Sequence, residues 1–111
     1  MKEKTIKIGV DFTQTPIGRY RDDGPYSGQV FREDVLMPSL RENDKVIVDL
    51  AGVEGYGSSF LEEVFGGVIR SGEFTAEMLR DKLSIISSDP VMSIYVDFAN
   101  EYMHNAERTK H

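Results

Sequence analysis

The chain contains no cysteine and no tryptophan, and its only histidines are His104 and His111. Without cysteine there is no disulfide framework, no thiolate zinc site and no thiol nucleophile. A Ser-His triad built on Ser58 or Ser59 has only those two histidines to draw on as a base, both at the far end of the chain. Basic residues are also in deficit, 13 Lys and Arg against 19 Asp and Glu, for a net charge of -6. That balance opposes binding to phosphate backbones, so nucleic acid is not an expected partner. No apolar run approaches the ~20 residues that span a bilayer, and the stretch from Met1 to Thr5 is polar. A cytoplasmic location without membrane attachment is expected. Metal ligands have no recognisable spacing, because Asp22-Asp23 and two distant histidines do not converge. No cofactor is called for.

What remains is an ordinary globular composition, 40% hydrophobic and 29% charged over 111 residues. That length suits one domain spanning 1–111, burying about 65% of its unfolded surface. Ile6, Ile8, Val10 and Phe12 alternate with polar or small residues, the period of a strand with one buried face. A loop follows from Thr13 to Tyr26, with a short extended piece expected at Ile17 to Arg21. Ser27 has the position of an N-cap, with Tyr26 and Phe31 at the spacing of a hydrophobic staple. The helix it opens should stop or kink near Met37, because Pro38 lacks an N–H and crowds the preceding turn.

The run Val46-Ile47-Val48 does not alternate, which predicts a central parallel strand buried on both faces. A second helix is expected from Ser58 or Ser59 to about Arg70, and a third from about Thr75 to Lys82. The strand Leu83 to Ser87 comes next, and Asp89-Pro90 opens a last helix. Strands alternating with helices give an α/β fold, a small mostly parallel or mixed sheet flanked by helices. In the last helix Met92, Val96, Ala99 and Met103 either wedge against the sheet or form a face for a second copy, so a homodimer through it is one expectation.

The segment from Asp49 to Leu61 carries the candidate chemistry. Gly52, Gly55 and Gly57 precede Ser58 and Ser59 at a helix start, where free N–H groups and the dipole's positive end favour an anion. A phosphoserine suits that place. Equally, Ser59 and Glu62 have the spacing of a capping box. Asp49, at the end of the strand, is expected to accept hydrogen bonds from the glycine loop. Glu62 and Glu63 read as a solvated face, and Arg19, Arg21 and Arg32 as a possible anion-binding cluster. Phe60 stands where a dinucleotide fingerprint needs glycine, and no Gly-Lys-Ser/Thr follows, so neither nucleotide motif is present.

Val48-Asp-Leu-Ala-Gly-Val53 followed by Ser58-Ser59 resembles the STAS domain of anti-sigma-factor antagonists. More closely, Ser27-Gly28 with Phe31-Arg32-Glu33, that strand, and Ser59-Phe60-Leu61 with Glu63 and Phe65-Gly66 resemble the STAS-like family of unknown function. The resemblance covers about 18–67. It implies a sheet flanked by helices that is used in regulatory protein contacts, often with histidine-kinase-like ATPases. It also places Ser58 on the phosphorylatable serine of the antagonists, although Gly57 and Phe60 stand where those proteins have an acidic residue and a glycine. The function expected is therefore a non-enzymatic docking module, with Ser58 and Ser59 as phosphorylation candidates. Its partner-binding residues would be Asp49, Gly55, Tyr56, Gly57, Phe60 and Leu61. The alternative is a small-molecule or nucleotide-phosphate sensor using the same helix N-terminus.

Overall fold

Three parallel strands form the sheet, in the order β1 (Glu3–Lys7), β2 (Lys45–Asp49), β3 (Leu83–Ile86). The computed structural model describes residues 2–109, so Met1, Lys110 and the expected terminal histidine, His111, lie outside it. Helix α1 covers 28–42 and joins β1 to β2. Helix α2 covers 58–70, and with α3 (Ala76–Lys82) it joins β2 to β3; α4 (Ser93–Thr109) follows a short 3-10 turn at Pro90–Met92. Both crossovers step in the same direction across the sheet, so right-handed connections place α1 and α2 on one face. Ile6, Val46, Val48 and Leu83 point into that layer and pack with Phe31, Leu36, Leu40, Phe60, Val64 and Phe65 as one core.

Ile47 corrects the expectation of a strand buried on both sides. It is only half-buried, between Thr5 and Ser84 on a face whose other members include exposed Glu3, Lys7 and Ile86. All the β-branched residues of β2 favour the strand, but only Val46 and Val48 meet helices.

The first strand is also shorter than its alternation predicts. After Lys7 the chain closes a wide turn, Ile8–Phe12, in which Thr13 N–H donates to Ile8 O at 2.8 Å. The carboxylate of Asp11 takes the Lys7 N–H, and Val10 swings out into solvent. No strand forms at Ile17 to Arg21. Instead Gly18 O and Arg19 O accept from the N–H groups of Gly28 and Gln29, while Ser27 Oγ accepts from Val30, so the first donors of α1 are all satisfied. The staple is indirect, with Phe12 lying edge-on to both Tyr26 and Phe31.

Pro38 does not end α1. Just before it, over Arg32–Leu36, the helix widens and Met37 N–H reaches back five residues to Arg32 O. The expanded turn spreads the carbonyls that the proline ring would otherwise strike, so the helix continues to Glu42. Of the two readings of the last helix, wedge or face for a second copy, the side chains follow the first: Met92, in the turn before α4, and Ala99 are buried, and Val96 and Met103 pack against the core. The exposed apolar side chains here are Val91 in the preceding turn and Ile94 and Phe98 on α4.

Candidate functional site

At the carboxyl end of β2, Asp49 Oδ1 accepts from the N–H groups of Ala51 at 3.0 Å and Ser88 at 3.1 Å, fastening the end of β2 to the loop after β3. Burial pushes this carboxyl upward, but the Ala51 and Ser88 N–H groups, the Ser88 hydroxyl and the charge of Lys7 together hold it below the ordinary carboxylate value. A depressed value contributes stability that is present above about pH 4 and lost as pH falls through the folded value. Asp49→Asn keeps an acceptor oxygen, so it should fold at neutral pH and lose Tm less steeply than wild type below about pH 4. Thermal melts across that range check this. An unchanged acid limb would assign the sensitivity to other carboxylates.

From Asp49 the loop folds back on itself. Tyr56 Oη donates to Leu50 O at 2.7 Å, and its buried ring lies against Phe60 and Tyr95. Gly55 sits directly beneath the Tyr95 hydroxyl. Gly57 then caps α2 in extended geometry and offers no side chain, and Leu61 N–H closes the first turn on Gly57 O.

The expected capping box is therefore absent. Ser58 and Ser59 occupy the first two helical positions, and Glu62 turns away to bind Arg19 at 2.6 Å and Arg70 at 2.5 Å. Both serines are exposed, and neither hydroxyl has a partner among the described residues. The N–H groups of Ser58, Ser59 and Phe60 are likewise without a partner there, in contrast to the satisfied start of α1. These residues border an open groove of about 700 Å³, whose opposite wall is Pro16, Ile17 and Arg19.

Of the residues expected to meet a partner, Asp49, Tyr56, Phe60 and Leu61 are buried. They shape the loop; Gly55 is half-buried, and Gly57 is exposed together with Ser58 and Ser59. The three arginines come together only through carboxylates that take up their charge: Arg21 pairs with Glu33 and Asp34, Arg32 with Glu33 and Glu63, and Arg19 with Glu62 and Glu63. His104 lines a different groove, between α3, β3 and α4.

One feature of this region escaped the sequence reading. Glu63 is nearly fully buried, not solvated, and Arg32 Nη1 donates both to its carboxylate at 2.5 Å and to its own carbonyl at 2.9 Å. Over Glu62–Gly66 helix α2 widens as α1 does. Gly67 N–H donates to Glu62 O and Val64 O instead of Glu63 O, and Arg32 serves that carbonyl. A Cβ on Gly67 would lie 2.2 Å from Arg32 Nη1, so glycine in mid-helix makes the guanidinium's seat. Two adjacent glycines inside an apolar helix pattern were the available signal.

No helix among the described residues is long and apolar enough to cross a membrane, and no group of three or more histidine and acidic side chains there could hold a metal ion. No curated protein and no solved structure matches the chain. A family profile does, over 27–92, from the cap of α1 through β2, the serine loop, α2, α3 and β3 to the turn before α4. That family is one of unknown function and is not a known enzyme family. Covering more than half of the sequence, with the three-stranded parallel sheet and its helices in place, the match shows that the chain belongs to the family of STAS-like domains of unknown function.

Proposed function

We propose that the chain is a regulatory docking module that meets a protein partner through the loop and helix at 55–69. The observation that carries this reading is the pair Ser58 and Ser59: exposed, without hydrogen-bond partners, and lying at a helix start whose N–H groups are also unpartnered. Serines that served as caps would be tied down, and these are not. Gly57, Ser58 and Ser59 present the contact, while Tyr56, Phe60 and Leu61 hold its shape from the core. A phosphate on Ser58 or Ser59 would stand at the positive end of α2 beside Arg19, adding up to two negative charges to the surface a partner reads. The resemblance to anti-sigma-factor antagonists makes a histidine-kinase-like ATPase the partner class to test.

Because neither hydroxyl caps the helix, Ser58→Ala and Ser59→Ala should each leave stability within about 0.5 kcal/mol of wild type. They are clean probes of function. Mass spectrometry after incubation with such an ATPase is expected to find phosphate on one of them, and Ser59→Arg is expected to weaken the complex at least about tenfold in a titration. Undiminished binding by Ser59→Arg would remove this surface from the interface. Stabilisation by millimolar nucleotide phosphate without any protein partner would instead support a phosphate sensor.

A further inference from the structure

The sheet has two edges, and they are built differently. Parallel pairing alternates the direction of backbone groups along each strand. Leu50 N–H donates to Ile86 O, so Ile86 and Ser84 direct their N–H and C=O groups toward β2. Leu83 and Ile85 therefore direct theirs outward, away from the sheet. Leu83 N–H is taken by Leu79 O at the end of α3. Among the described residues nothing bonds the N–H or C=O of Ile85, the C=O of Leu83, or the N–H of Ser87.

The β1 edge is protected, by contrast. Its outward Lys7 N–H is held by Asp11, and Glu3, Lys4 and Lys7 line it with charge. Charged edges discourage strand pairing. From Leu83 to Ser88 the third strand and the residues after it carry no charge at all. Beside it runs a groove of about 370 Å³, with Leu79, Ile85 and Met103 among its apolar lining. On its rim Arg80 and Glu107 neutralise each other at 3.0 Å, and Asn100 and His104 complete the lining. Among the described residues no unpaired acidic or Lys/Arg side chain lines it, which suits an uncharged occupant.

We propose that the β3 edge accepts an extended, uncharged segment of another protein as a fourth strand, pairing with Ile85 and Ser87 and placing alternate apolar side chains in the groove against Leu79 and Met103. Only a strand offers donors and acceptors at the spacing of the free groups, and residues opposite Leu83 and Ile85 would point toward the helix layer. This surface is independent of the serine loop.

An array of synthetic peptides about eight residues long, of unbiased sequence, tests it with the full chain. Peptides retained at about 100 μM are expected to alternate apolar and neutral residues. In solution such a peptide should slow exchange of the Ile85 and Ser87 amides in the wild-type protein. Ser87→Pro removes one outward N–H and Met103→Glu charges the groove, and each should cut binding about tenfold, while Ser59→Arg binds like wild type. Failure to retain any such peptide, or retention with unchanged amide exchange, overturns the proposal. So does a concentration-dependent dimer of the wild type that Ser87→Pro abolishes, since that would give the edge to a second copy. The exchange measurement needs no variant, so misfolding of Ser87→Pro leaves the test intact.

Discussion

Arg32→Met is expected to lower the unfolding free energy by about 3 kcal/mol, read by urea denaturation at neutral pH. Two groups lose their partner at once. The carboxylate of Glu63, with its side chain only 9% exposed, keeps nothing nearer than Arg19 at 3.4 Å and Arg70 at 3.9 Å. Its carbonyl, bypassed where α2 widens, loses the donor at 2.9 Å. A buried carboxylate stripped of its cation costs far more than an exposed pair, whose worth is typically below about 1 kcal/mol. The remaining arginines hold the loss toward the lower end of the buried range. Arg32 Nε, itself buried without a partner, already tempers what the native arrangement contributes. If the cost is that of an orphaned charge, Arg32→Met combined with Glu63→Leu should recover a good part of it. A double variant no better than the single one would locate the loss in packing between α1 and α2 instead.

How much of this could be read beforehand follows the physics of each feature. Local patterns carried the helices and strands: Ser27, Thr75 and Asp89 accept the N–H groups their cap positions require. A mostly parallel or mixed sheet followed from the order of elements, and β2 at its centre from its β-branched run; both pairings prove parallel. What sequence could not show depends on contacts between distant residues. Ser59 looked like a cap because Glu62 stood three residues on, but Arg19 and Arg70 bind that carboxylate more strongly than a backbone N–H would. The alternation from Ile6 to Phe12 promised a longer strand, and a turn stabilised by Asp11 cut it short. At the candidate site the serines were legible, while burial of Tyr56 depended on the neighbouring Tyr95 and that of Phe60 on Phe31. The helix period suggests such packing without naming its partners.

Gly9→Ala should be the most damaging single methyl in the chain, lowering stability by about 3 kcal/mol and distorting the serine loop together with it. A Cβ at Gly9 would lie 2.4 Å from Gly52 O, 2.6 Å from its carbonyl carbon and 2.8 Å from its Cα. All three atoms are backbone, so no side chain can rotate away. Gly52 has little freedom to retreat, since it sits at φ +87 just beyond β2, with the loop fastened on either side of it by Asp49 and Tyr56. The two glycines let the turn after β1 and the loop after β2 touch at the carboxyl ends of their strands, where open parallel sheets place their sites. Pushing Gly52 away must therefore move the chain that leads to Ser58. Two measurements separate the effects: thermal unfolding, and phosphorylation or partner titration below the reduced Tm. A folded Gly9→Ala protein that docks like wild type would show that the serine surface is set by α2 alone. Weaker docking at full helical content would show that the contact of Gly9 with Gly52 helps to aim it.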